Sequence, residues 1–318
     1  AFGGLGMYSL LRYFKQTKYC SIFSAILYAT MPYMITMTAY GHGSQMMTAC
    51  YIPWIILYLF KLYDNNKFLD YAIFSLLLGT QLLRAHIQIA YYTWMMVGLF
   101  ICLSFFYSTK QIKHLLKINI RILLSIILGV VISLSLYIPL LNYSSKSTRG
   151  AIEGGVGIDY ATQWSMSIKE MLTIFFPYSM GFGGKLYFGD LPFTDFPNYI
   201  GLFVISLSFI GLFKSTLHIK YKVYFLLVIL FSILISLGNN FIQFYNIFYN
   251  YFPFFNKFRV PSYILIITNF SLIFLASFGL SVLISSIKNS LFENKRIYYI
   301  LIVPLLLSLI YLLFHDFL

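Results

Sequence analysis

The chain has 318 residues, enough for about two soluble domains of ~150 residues each, but 60% are hydrophobic and only 10% charged, against roughly 45–50% and 25% in ordinary globular domains. So few ionic side chains cannot clothe a soluble globule of this size, and a mean hydropathy of +0.80 agrees: this is an integral membrane protein. The net charge of +13 does not signal nucleic acid, because the 22 Lys and Arg come in ones to threes between apolar runs, the pattern of charge at membrane boundaries.

Apolar runs cut at charges predict about ten hydrophobic helices, an all-α polytopic transmembrane bundle. The run 1–11 is too short for the ~20 residues a span needs and reads as the tail of a helix. The single integral domain 1–318 is therefore expected to be truncated at its N-terminus. The remaining runs are 19–38, 47–61, 68–83, 88–108, 119–141, 198–213, 222–237, 262–287 and 297–314. Pro32, Pro53, Pro139 and Pro304 fall inside or near the ends of runs, which membrane helices tolerate when neighbours satisfy the freed carbonyl. Cys20, Cys50 and Cys102 are far apart and read as small hydrophobes, not as a disulfide framework.

The basic residues alternate by side. Fifteen of them, from Arg12, Lys15 and Lys18 through Lys61, Lys113 and Lys220 to Arg296, occupy one alternate set of connections, which the positive-inside rule places in the cytoplasm. The other seven, Arg84, Lys146, Arg149, Lys169, Lys185, Lys257 and Arg259, share the opposite side with most of the acids. That outer side holds the loop 39–45, the turn 84–88, the long insertion 142–197 with Glu153, Asp159, Glu170, Asp190 and Asp195, and an Asn- and Phe-rich stretch 238–261. Inner connections are short and merely basic, His114 and His218 among them, so chemistry is expected on the outer face.

Each outer motif has a chemical and a plainer reading. His42 lies between two glycines that let a ligand approach the backbone, and its imidazole can donate to an oxyanion or accept a hydroxyl proton; it can equally be an interfacial His on a carbonyl. Arg84, His86 and Gln88 present a guanidinium, an imidazole and an amide on one tight turn, a cradle for a lipid-linked phosphate or a solvated turn with a snorkelling Arg. Arg149 and Arg259 flank the outer ends of two helices, where they neutralise a phosphate or meet headgroups. Tyr187 and Asp190 offer hydrogen bonds to sugar hydroxyls, or belong to an ordinary turn. Glu153 and Asp159 sit six apart in a Gly-rich loop that fixes no acid–base geometry. A divalent metal on His42, His86 and a loop carboxylate is conceivable; otherwise no cofactor is called for. The run Gly181–Lys185 imitates a phosphate loop, but Ser179 and Leu186 replace its first Gly and its Ser/Thr. Asn142-Tyr143-Ser144 is a glycosylation sequon, meaningful only in a eukaryotic secretory context.

In order along the chain, several of these segments resemble the YfhO-like bacterial multipass membrane proteins, a branch of the GT-C-type glycosyltransferases. Gly3-x-x-Gly6-Met7-Tyr8 with Leu11-Arg12 is similar to an early helix of that family, and Gly41-His42 followed by Tyr51-Ile52-Pro53-Trp54 to its "GH … (L/I)PW" segment. Leu82–Tyr92 resembles its "L-x-G-H-P-Q-x-A-x-Y" stretch, with Ala85 for the Gly and Ile87 for the Pro, so the turn is expected to differ. Phe176-Pro177-Tyr178, Tyr187-x-Gly189 and Arg259-Val260-Pro261-Ser262 resemble later signatures.

The resemblance implies a GT-C-like bundle in a bacterial cytoplasmic membrane. It implies transfer of a sugar from a polyprenyl-phosphate donor to a cell-envelope polymer or glycolipid on the outer face, with Arg84 and Arg259 on the phosphate and His42, His86 and Gln88 on donor or acceptor. The family's catalytic carboxylate lies in a first outer loop that would precede Ala1. A lipid-linked saccharide flippase or a non-catalytic scaffold are the competing readings. The flippase predicts charges in mid-span, where the runs carry mostly Ser, Thr, Asn and Tyr.

Overall fold

A computed structural model describes residues 1–107, 111–144, 157–181, 186–191 and 198–288, with Ile302 and Leu306 beyond them. The described residues form helices and no strand; the nearest approach to a sheet is an isolated bridge between Ser179 and Gly181. In chain order the helices are α1 (Phe2–Tyr13), α2 (Lys18–Thr30), α3 (Pro32–Ala39), α4 (Gly43–Ala49), α5 (Ile52–Asn65), α6 (Phe68–Leu82) and α7 (Ile87–Tyr107). After them come α8 (Ile112–Ser144), the single turn α9 (Ile158–Ala161), α10 (Leu202–Lys214), α11 (Ile219–Ser236), α12 (Ile242–Tyr251) and α13 (Leu265–Lys288).

Among the described residues, six stretches are long and apolar enough to cross a membrane: Lys18–Ala39, Gly43–Asn65, Ile87–Tyr107, Ile112–Leu140, Ile219–Ser236 and Pro261–Ile287. Helices α6 and α10 are apolar but shorter, and the run 297–314 lies outside the described residues except at Ile302 and Leu306, which are helical.

Departures from the expected runs have local causes. The run 19–38 is two helices, because Met31 precedes a proline and takes extended backbone (φ −58°, ψ 146°) before Pro32 opens α3. The run 47–61 gains a turn upstream, where α4 starts directly after the Gly41-His42 bend. The stretch 238–261, expected as a loop, contains α12 and three-residue-per-turn helices at Gly238–Phe241 and Phe255–Lys257.

Helix α13 is the central post, with Ile266, Ile267, Phe270, Ile273 and Phe274 fully buried against α2, α10 and α11. Its contact with α10 is backbone to backbone. A Cβ on Gly211 would stand 2.0 Å from the Leu275 carbonyl oxygen, and one on Gly279 1.9 Å from that of Leu207. Small residues permit this approach in a membrane, where no hydrophobic drive separates helix from lipid. Ser208 adds a 2.7 Å hydrogen bond to the Leu272 carbonyl. Helix α8 packs along α6 and leaves Leu123, Leu124 and Leu128 exposed, a lipid-facing row.

The connections sort into two ends. At one, Tyr13 donates to Asp64, Tyr63 to Asn119, and the Arg121 guanidinium to the Asn66 side chain at 3.1 Å. At the other, Gln88 meets the 259–260 backbone and Asn239 N–H donates to the Ser165 hydroxyl at 2.7 Å. The second end carries the connections that the charge pattern leads one to expect outside.

Candidate outer-face cavity

At that second end the chain turns between α3 and α4 through Gly41, whose φ of 78° suits a residue without a Cβ. The bend leaves His42 exposed at the head of α4. Facing it is the short helix Pro261–Ile264 that leads into α13. Val260, just before it, has φ 63°, a left-handed conformation that costs a β-branched residue about 1–3 kcal/mol and persists only where its surroundings offset that cost. The offsetting contact comes from Gln88. From the first turn of α7 its buried amide nitrogen reaches the Arg259 carbonyl at 2.6 Å, the Val260 carbonyl at 3.2 Å and the Tyr92 hydroxyl at 2.7 Å.

With its backbone held, the Arg259 side chain lies over the Tyr160 ring at 5.0 Å and donates to the Tyr160 hydroxyl at 2.7 Å. Arg259, His42, Tyr33, Trp164, Asn198 and Tyr263 line a cavity of about 150 Å³. An apolar hole of roughly this volume accepts one six-membered ring. The described lining is cationic and aromatic and contains no carboxylate.

One buried acid holds the wall of this cavity from behind. Ser167-x-x-Glu170 is a capping box: Ser167 N–H donates to Glu170 Oε2 at 2.8 Å, and Glu170 N–H to the Ser167 hydroxyl at 3.2 Å. Glu170, 1% exposed, also accepts from the Tyr187 hydroxyl and, at 3.0 Å, from Leu191 N–H. Leu191 is itself a lining residue, so Glu170 ties the cavity rim to the loop floor. Burial and the hydrogen bond to Glu170 push the Tyr187 phenol well above its ordinary range, which keeps it a neutral donor.

The other expected site residues have distinct places. His86 sits one layer behind the cavity, its ring 5.9 Å from that of Tyr263, and Nδ1 accepts from Ile89 N–H at 3.4 Å as the cap of α7. Burial lowers its pKa to about 4, and the charge of His42 acts in the same direction. Arg84 is not a lining residue: its Nε donates at 3.4 Å to the Thr80 carbonyl in the last turn of its own helix. Ala85, left-handed at φ 63°, then ends that helix in the manner of a C-terminal glycine. Asp190 is exposed on the loop beside Leu191.

Arg149, Glu153 and Asp195 lie outside the described residues. Among the described residues, no group of three His, Cys, Asp or Glu is placed to hold a metal ion.

Several residues of the site carried no motif in the sequence. Trp164, Asn198 and Tyr33 reach the cavity, and Tyr160 reaches Arg259, only through tertiary placement. Glu170 did carry a readable signal, the Ser-x-x-Glu spacing, but among five loop acids it was not singled out. No protein family, curated protein or solved structure matches the chain, so the functional reading rests on its own residues.

Proposed function

We infer that the chain holds the phosphosugar headgroup of a lipid-linked donor at the outer membrane boundary, as a GT-C-type glycosyltransferase of the bacterial cytoplasmic membrane acting on a cell-envelope acceptor. One observation carries this reading: Arg259, His42 and Trp164 converge on one cavity the size of a single ring, at the end of the bundle that the charges place outside. A guanidinium is the side chain best shaped for phosphate oxygens, and Arg259 keeps its planar fork orientated by the Tyr160 ring beneath it. Trp164, Tyr33 and Tyr263 offer apolar faces to a sugar ring, and His42 and Asn198 offer hydrogen bonds to its hydroxyls.

In such a transfer an acceptor hydroxyl attacks the anomeric carbon while the bond to polyprenyl phosphate breaks. Charge grows on the departing phosphate, where Arg259 stabilises it. The described lining has no carboxylate, so its part is donor binding and leaving-group stabilisation, with His42 the group in it able to take the acceptor's proton. The GT-C assignment is supported by the order of the motifs around Gly41-His42, Leu82–Tyr92 and Arg259-Val260-Pro261, and the expectation of ten helices by the apolar runs between charges. Charge inside the candidate spans gathers toward one end of each, as with Lys18, Lys61, Lys220 and, deepest, Arg121 of Ile112–Leu140, which favours boundary chemistry over a polar path across the bilayer.

The test is photocrosslinking of a polyprenyl-phosphate glucose probe to the protein in lipid nanodiscs, with unlabelled probe as competitor. Capture that maps to the segments containing His42 and Trp164, and that Arg259→Ala reduces about tenfold or more, is the expected result. Capture elsewhere on the chain, or equal capture by Arg259→Ala, would sink the reading.

A further inference from the structure

A second concavity lies away from the cavity, on the flank of the bundle between α7, α11 and α12. It has a volume of about 770 Å³ and an almost wholly apolar wall, within the ~300–1,000 Å³ range of ligand sites. Tyr91, Gly98 and Cys102 run down its α7 side. At the rise of an α-helix, about 1.5 Å per residue, Tyr91 to Cys102 spans roughly 16 Å, about half of a ~30 Å hydrocarbon core and so the depth of one leaflet.

Two features make this a slot and not an ordinary lipid-facing ridge. Helix α12 roofs its outer end, turning Phe244, Phe248 and Phe252 into it. Midway down, Gly98 leaves room: no atom lies within 4 Å of the place a Cβ would occupy. A cation belongs to the segment that packs on Tyr91. Tyr91 donates to the Pro253 carbonyl at 2.9 Å and packs on Phe255, whose ring is 5.9 Å from that of Phe248. Lys257 stands exposed two residues further along the same short helix.

We propose that this slot is a resident-lipid site, taking one acyl chain of an anionic outer-leaflet phospholipid with its phosphate beside Lys257. The one-leaflet depth matches an acyl chain and stops short of a long isoprenoid, and Lys257, exposed on the segment that packs on Tyr91, favours an anionic headgroup over a zwitterionic one. The assignment stands independently of the sugar-transfer reading, since none of its residues lines the cavity around Arg259.

Trp94 lines the slot and is one of three tryptophans, so it reports occupancy directly. The protein is reconstituted in phosphatidylcholine vesicles with increasing fractions of phosphatidylglycerol or phosphatidylcholine brominated on the acyl chain. Quenching absent from Trp94→Phe is the signal. It is expected to saturate at a severalfold lower fraction of brominated phosphatidylglycerol than of brominated phosphatidylcholine. Gly98→Leu, whose Cβ has no atom within 4 Å and whose branch would obstruct the slot, should abolish the saturable part, and Lys257→Gln should erase the headgroup preference. Equal, linear quenching by both lipids in the wild type would overturn the proposal even if Gly98→Leu failed to fold. So would displacement of the brominated chain by an isoprenoid phosphate but not by unlabelled phosphatidylglycerol.

Discussion

The side-chain amide of Gln88 and the main-chain carbonyl of Arg259, 171 positions apart, are joined by a hydrogen bond of 2.6 Å. It fastens the first turn of α7 to the approach of α13, and so converts a helix start into a support for the cation of the cavity. The same nitrogen holds Val260 in its left-handed conformation. On the proposed donor-site reading Gln88 is therefore a positioning residue and Arg259 the ligand-facing one.

Gln88→Leu keeps the volume and removes the donor, leaving buried carbonyls unpaired at a cost of about 1–3 kcal/mol. Thermal unfolding in detergent should show that loss, together with weaker donor capture. Gln88→Glu should be at least as damaging, because an ionised carboxylate has no donor for either carbonyl. If Gln88→Leu left capture unchanged while lowering stability, the support would be structural only and would not reach Arg259.

Glu170 makes a contrasting prediction. Glu170→Gln exchanges one acceptor oxygen for an amide that faces another donor, either Ser167 N–H or the Leu191 and Tyr187 pair. A loss of about 1–3 kcal/mol is expected, confined to the rim because Glu170 contacts only loop residues. Limited proteolysis should cut the 167–191 region faster, with the helical unfolding transition unmoved. Tyr187→Phe should do the same more weakly, at about 1 kcal/mol, since the carboxylate keeps its two backbone donors.

The pH dependence follows from His86. Its pKa is about 4 in the folded protein, against the ordinary 6.5 when unfolded, so between those values the unfolded state binds more protons. Stability contributed by the neutral ring is fully present above pH ~6.5, falls as the pH drops toward ~4 and levels off below. The total is at most on the order of 3 kcal/mol. His86→Asn, which still caps a helix, should flatten that slope. An unchanged slope in His86→Asn would assign the effect to another group.

Much of the helical map was legible because it depends on local composition. Apolar runs bounded by Lys and Arg mark α5, α7, α11 and α13 to within a few residues. The break at Met31 was also local, written in the following proline, whereas α12 hid in a stretch whose Asn residues dilute its apolar face. His42 and Arg259 could be singled out because boundary charge and flanking glycines are visible in a single sequence. Their convergence could not be read there, since Trp164, Asn198 and Tyr33 come from three other segments and carry no spacing that links them. The turn 84–88 illustrates the limit from the other side. Its residues are neighbours in sequence, yet Gln88 faces Arg259, His86 caps α7 and Arg84 folds back on α6.

That divergence makes the two arginines a decisive pair. Arg84 donates through Nε to the Thr80 carbonyl, a helix C-terminus that any cation satisfies, because the last carbonyls of a helix carry partial negative charge. Arg84→Lys keeps that charge and should leave donor capture within about twofold of wild type, its worth being a few tenths of a kcal/mol at an exposed helix end. Arg259 sits over the Tyr160 ring with one nitrogen already committed to the Tyr160 hydroxyl, so phosphate must be met by the rest of a planar, multi-donor group. A lysine ammonium cannot serve the hydroxyl and a phosphate in that fixed plane. Arg259→Lys is therefore expected to lose a charged hydrogen bond of about 1.5–3 kcal/mol, weakening capture of the polyprenyl-phosphate glucose probe roughly ten- to over a hundredfold. Measured side by side at equal membrane levels, a severe Arg259→Lys defect with a silent Arg84→Lys places the phosphate in the cavity. The reverse pattern would move the phosphate to the 84–88 turn and remove the cavity from the donor site.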